Sequence, residues 1–123
     1  MRPTILVVDE MREHRDIVAR MLRSAGFCVF ETAPDYDAPE YAEHILPDVI
    51  VIGLSLPGHR GWETARRLSR SERLRHTPLL GASPYPTTML TRQRASIAGC
   101  SDYIDKPFDL DALVASVQSL IAI

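Results

Sequence analysis

Lysine is almost missing from this sequence. Lys106 is the only one among 14 basic residues, and arginine supplies the others. The two cations do different chemistry, so a lone lysine in an arginine-rich chain marks its position. Cysteine is scarce as well. Cys28 and Cys100 stand far apart with no CxxC pair, which excludes a disulfide framework and fits free thiols in a reducing cytoplasm. No apolar run approaches the roughly 18 residues that span a bilayer. The opening MRPTILVVDE lacks the long apolar stretch and cleavage site of a secretory signal. The formal net charge of -2 gives no bulk attraction to nucleic acid or to a membrane. His14, His44, His59 and His76 have neither HExxH spacing nor a cysteine companion, so they carry no metal motif.

What is present suits one ordinary domain spanning 1–123: the chain is 46% hydrophobic and 24% charged. Charge is segregated within it. Arg60, Arg66, Arg67, Arg70, Arg73, Arg75, Arg92 and Arg94 fall between 60 and 94, against only Glu63 and Glu72. The plain reading is a solvated face; the sharper one is a basic patch for an acidic partner.

The apolar pattern alternates between two periods. TILVV at 4–8 is a short run suited to a buried strand. His14, Ile17, Val18, Met21, Leu22 and Ala25 then trace one helix face that Gly26 ends. CVFE at 28–31 is a second strand. A helix follows, with Asp37 as N-cap, Pro39 in its first turn and Tyr41, Ala42, Ile45 and Leu46 as its face. VIVIGL at 49–54 is the most apolar strand and should be central. LPGHRG is a turn, and a helix runs from about 61 to 69 or a little beyond. PLLGAS at 78–83 holds the fourth strand. A weaker helix spans about 87–98, with Met89, Leu90, Ile97 and Ala98 around a polar middle. DYID at 102–105 is the fifth strand. Asp109 caps a last helix carrying Leu110, Leu113, Val114, Val117, Leu120 and Ile121.

The order is (βα)5, which predicts a doubly wound parallel sheet with right-handed crossovers and helices on both faces. In such sheets ligands bind beyond the C-terminal strand ends. The first strand delivers Asp9 and Glu10 there, the third Gly53, Leu54 and Ser55, the fourth Ser83, and the fifth Lys106.

Those residues in that order resemble the receiver domain of bacterial two-component response regulators, and the likeness covers the whole chain. ILVVDE resembles the opening strand with its acidic pair, and DVIVIGLSLPGHRGWETARRL the segment around the phosphoacceptor aspartate. DYIDKPFDLDALVASV resembles the closing segment with its Lys-Pro dipeptide. The resemblance implies a flavodoxin-like five-stranded sheet of order 2-1-3-4-5. It also implies phosphoryl transfer from a histidine kinase to an aspartate held with Mg²⁺. Asp9 and Glu10 match the acidic pair, Ser83 the hydroxyl that grips the phosphoryl group, Tyr103 the aromatic switch and Lys106 the lysine. Ser55 holds the place whose backbone carbonyl binds the metal.

Gly53 stands at the phosphoacceptor position. A glycine cannot accept a phosphoryl group, and it removes a metal ligand. No carboxylate lies between Asp48 and Glu63 to stand in. Glu10 is one methylene longer than the usual aspartate. No cofactor is therefore expected, with Mg²⁺ weak at best, held by Asp9, Glu10 and the Ser55 backbone if at all. A cation is expected to replace the metal beside Asp9 or Glu10, from Lys106 or else Arg12. Pro84 and Pro86 stiffen the SPYPTT loop, which suits a domain held in one state. Against these readings, Asp9 and Glu10 are in the plain view solvated carboxylates, Tyr103 a fixed strand aromatic and Trp62 a packing residue.

The leading expectation is a phosphorylation-independent receiver-like domain (a pseudo-receiver) that is not an enzyme and acts by protein contact in a two-component phosphorelay. The family surface of the fourth helix, fifth strand and fifth helix places Arg92, Arg94 and Tyr103 at the interface. The partner would be a histidine kinase, another regulator or a second copy in a homodimer, with no nucleic acid bound by this domain and no membrane. The alternatives are the N-terminal part of a longer transcriptional regulator, a domain gated by a small ligand, and a receiver phosphorylated on another residue such as Ser55 or Ser83. GLSLP approaches the G-x-S-x-G nucleophile elbow, but a proline replaces the second glycine and no histidine is suitably placed as base.

Overall fold

In the computed structural model, residues 2–54, 60–83, 89–105 and 109–121 are described. The elements are β1 (Thr4–Val8), α1 (Arg12–Ser24), β2 (Cys28–Thr32), α2 (Ala38–Ile45) and β3 (Val49–Gly53). They continue with α3 (Arg60–Ser69), a 3-10 turn at Glu72–Leu74, β4 (Leu79–Ser83), α4 (Met89–Ile97), β5 (Asp102–Asp105) and α5 (Leu110–Ile121). All strand pairs are parallel, and the sheet order is β2-β1-β3-β4-β5.

The strands read as nearly unbroken β-branched and leucine runs because both faces are covered. Alternation within them splits the core into two layers. Leu6, Val8, Ile50 and Ile52 join Trp62 and Leu68 on one side. Ile5, Val7, Val49 and Val51 join Leu22 and Leu113 on the other. Burying each large aliphatic side chain contributes about 1.5–3 kcal/mol, so β1 and β3 anchor the fold. Trp62 packs in the core, as the plain reading holds.

Several helix details differ from the expected faces. α1 buries Val18, Ala19 and Leu22, whereas Ile17 is 57% exposed and Ala25 is exposed. The stripe facing the sheet is rotated by one position, which leaves Ile17 at its edge. Asp37 makes no capping hydrogen bond because its own backbone is already helical, at φ -89° and ψ -3°. Instead the Asp35 carboxylate accepts the Asp37 N–H at 3.1 Å. Leu46 is no face residue either: it closes α2 in the left-handed region at φ 51° and is half exposed. Ile97 on α4 is 78% exposed. Asp109 caps α5 as expected, accepting the Ala112 N–H at 2.7 Å.

Candidate functional site

The site lies at the C-terminal rim of the sheet, where β1, β3, β4 and β5 end side by side. β1 and β3 pair with Val8 beside Ile52. Continued by one residue, that register sets Asp9 beside Gly53 with their side-chain positions on the same face. Parallel neighbours stand about 4.8 Å apart, so an ordinary side chain at 53 would crowd Asp9. With glycine there, the Asp9 carboxylate leans into the space. A β-carbon built on Gly53 would lie 2.7 Å from Asp9 Cγ and 3.2 Å from Oδ1. Asp9 is only 7% exposed. Its Oδ1 accepts the Met11 N–H at 2.9 Å, and its backbone carbonyl accepts a hydrogen bond from Arg15 Nη1 at 3.0 Å. The acid is thus fixed from three sides: its own strand, the turn into α1, and the gap left by Gly53.

Glu10 follows at the end of β1. It pairs with Arg60 at 3.8 Å, an exposed contact between the end of β1 and the start of α3. Arg12, a candidate for that role, makes no ion pair with Asp9 or Glu10. It lines a neighbouring groove with Arg15, Asp16 and Glu31. Lys106, the other candidate, lies outside the described residues, as do Ser55, Pro84 and Pro86.

On the β4–β5 side, Ser83 is buried at the end of β4, beside Asp105 in register. Tyr103 is 6% exposed, its ring turned inward. Gly81 makes room for it. A β-carbon there would come within 2.8 Å of Leu54 Cδ1, 3.2 Å of Tyr103 Cδ2 and 3.3 Å of Cys100 Sγ. Burial raises the Tyr103 phenol above its usual pKa, and the nearby Ser83 hydroxyl pulls the other way. The Tyr103 oxygen is buried and completes no hydrogen bond among the described residues. Burial also pushes the Cys100 thiol up to about 12.

Tyr103 therefore does not join Arg92 and Arg94 as an exposed surface. Both arginines are exposed on α4, while Tyr103 faces the core. Two residues of the site escaped sequence reading. Arg60 was visible only as one of many arginines. Gly81 had a signal, since a glycine within an apolar strand marks a close approach.

The chain belongs to the response regulator receiver domain family, which it matches over residues 5–118. It is 31% identical over 123 residues to the DNA-binding dual master transcriptional regulator RpaA of Synechocystis, covering 97% of this chain and 49% of RpaA. It is 32% identical over 118 residues to the phosphate regulon transcriptional regulatory protein PhoB of Pseudomonas aeruginosa, covering 96% of this chain and 51% of PhoB. The chain spans about half the length of these two relatives. A putative response regulator from Chloroflexus aurantiacus superposes with a TM-score of 0.89 at 26% identity, over 100% of both chains. Receiver domains are two-component signalling modules that interact with kinases and other proteins and bind Mg²⁺ at the phosphorylation site.

Two of the residues that would hold that metal are engaged with other groups. Asp9 fills the space beside Gly53 with one oxygen committed to a backbone N–H, and Glu10 faces a guanidinium. Among the described residues, no group of three metal-ligating side chains converges.

Proposed function

We propose that this chain is a single, phosphorylation-independent receiver domain, a pseudo-receiver that signals through protein contact in a cytoplasmic two-component phosphorelay. The observation that carries the reading is the Asp9 carboxylate leaning into the space at Gly53. A phosphoacceptor position without a side chain has no nucleophile, and Asp9 takes up the volume in which one would work. Asp9, Glu10, Ser83 and Lys106 are then remnants of a phosphoryl pocket. Mg²⁺ binding through Asp9, Glu10 and the Ser55 backbone is weak at best, because Arg60 supplies Glu10 with a fixed cation. In the family the aromatic residue swings inward on activation. The buried ring of Tyr103 supports a domain set in an active-like form without phosphate. The contact surface is α4, β5 and α5, with Arg92 and Arg94 outward, and the partner is a kinase, another regulator or a second copy.

Incubation with acetyl phosphate and Mg²⁺ followed by intact-mass analysis tests this. No stable phosphoryl adduct should form, and Mg²⁺ should leave the melting temperature unchanged. A Mg²⁺-dependent gain of one phosphoryl group would overturn the reading.

The greater length of RpaA and PhoB supports a second reading. In it this chain is the receiver portion of a longer transcriptional regulator, and DNA binding belongs to the other portion.

A further inference from the structure

The outer face of α3 has a chemistry that the pocket does not use. The helix buries Trp62, Ala65 and Leu68 and turns its arginines to solvent. Three of the nearby arginines are engaged. Arg60 pairs with Glu10 at 3.8 Å, and Arg75 with Glu72 at 3.0 Å. Arg67 donates to the Tyr36 carbonyl at 2.9 Å, with its guanidinium 4.8 Å from the centre of the Tyr36 ring. Arg66, Arg70 and Arg73 are exposed, and among the described residues no hydrogen bond or ion pair reaches their side chains.

Cations near a helix C-terminus complement its dipole, and that accounts for a residue or two. It does not account for the clustering. Arg66 and Arg70 are four apart across the end of α3, where the Arg70 N–H reaches the Arg66 carbonyl at 3.1 Å, a like-charged pair that costs about 0.2–0.5 kcal/mol; Arg73 follows on the 3-10 turn. The chain as a whole carries a net charge of -2, so the cluster is no by-product of a basic protein. An anion seated among the three guanidiniums removes the repulsion, and arginine's planar fork suits a carboxylate in bidentate geometry. Tyr36, 83% exposed, is held by Arg67 of the same helix.

We propose that Arg66, Arg70 and Arg73 form a docking face for a carboxylate-rich segment of a partner protein. A protein segment fits better than a nucleic acid. Asp37, Glu40 and Glu43 line the groove beside Arg73 and confine an anion to a short stretch at Arg66 and Arg70, and the chain's net charge of -2 opposes a long polyanion. α3 is about 15 Å long, which matches a few carboxylates rather than a duplex. α3 runs back along the sheet, so this end lies away from Asp9 and Gly53, and the proposal stands apart from the reading of the pocket.

Fluorescence anisotropy with labelled octaglutamate in low-salt buffer tests it. The wild-type chain should bind the peptide. Arg66→Glu with Arg70→Glu should weaken binding about tenfold or more, as expected for charges that pair directly with the ligand. Arg2→Glu with Arg20→Glu, at two exposed positions outside any proposed contact surface, changes net charge equally and should weaken it far less. Should the reversals disturb folding, as read by circular dichroism, Arg66→Gln with Arg70→Gln serves the same purpose. Equal losses from the two pairs, no peptide binding by the wild type, or tighter binding of a short duplex DNA than of the peptide would each overturn the proposal.

Discussion

The two halves of the sheet rim are filled in different ways. On the β1–β3 half, position 53 carries no side chain and the neighbouring Asp9 carboxylate occupies the space. On the β4–β5 half, the side chains persist, with Ser83 buried and Tyr103 folded over Gly81. The first half is closed by polar contacts (Met11 N–H on Asp9, Arg60 beside Glu10), the second by apolar packing against Leu54 and Cys100. Both glycines do the same physical work, since each removes a β-carbon from a place that another side chain occupies.

Adding a side chain at position 53 should break the comparison most sharply. Gly53→Asp places a carboxylate against Asp9, adding overpacking of about 1–3 kcal/mol to like-charge repulsion of roughly 1–4 kcal/mol. Urea denaturation should show a large loss of stability, with Mg²⁺ returning only part of it. Complete rescue by Mg²⁺ with efficient phosphorylation would show an intact pocket.

Gly53→Ala isolates the steric part. Glycine-to-alanine in a strand ordinarily stabilises by about 0.5–1 kcal/mol. Here it should destabilise by about 1–3 kcal/mol, and much of that should vanish in an Asp9→Ala background. Gly81→Ala is the matching test on the other half, with a loss of about 1–3 kcal/mol that Asp9→Ala leaves untouched. A double-mutant cycle that coupled Gly81 to Asp9 would show the halves to be one unit.

Alkaline pH should act on the β4–β5 half. The Cys100 thiol moves from 9.0 to about 12, and the Tyr103 phenol lies above 10.0, both through burial. A raised folded-state pKa means that the contribution is complete below the unfolded value and declines as pH rises through the folded one. Stability should therefore fall between pH 9 and 12 by up to about 1.4 kcal/mol per pH unit through Cys100, with Tyr103 adding to the decline above pH 10.0. Cys100→Ala should flatten the first part of that decline in melts against pH.

The smallest effect belongs to the surface pair. Arg60→Gln should cost no more than about 0–1 kcal/mol, because exposed ion pairs contribute little. Its use is to show whether Mg²⁺ then shifts the melting temperature, which would identify Arg60 as the cation that keeps metal out.

Strand positions were legible in the chain because apolar runs bounded by Gly, Pro and Asp have few alternatives. β1, β3 and β5 lie where the patterns place them. Helix faces were less legible. Ile17 and Leu46 satisfy the apolar period, yet lie at the edge and beyond the end of the buried stripes. Periodicity gives the width of a stripe but not the rotation at which the helix settles on the sheet. At the site, Asp9, Glu10, Ser83 and Tyr103 could be named from their strands. The contacts each one makes could not, because Glu10–Arg60 and Gly81–Tyr103 join residues distant in sequence.

The order of strands and helices, the identity of the rim residues and the lack of a side chain at 53 follow from the amino-acid sequence alone. They are local facts of pattern and residue type. Only the folded chain decided what fills the gap at Gly53, which cation meets Glu10 and which way Tyr103 turns. Those outcomes depend on register between neighbouring strands, and register brings together side chains that no local pattern relates.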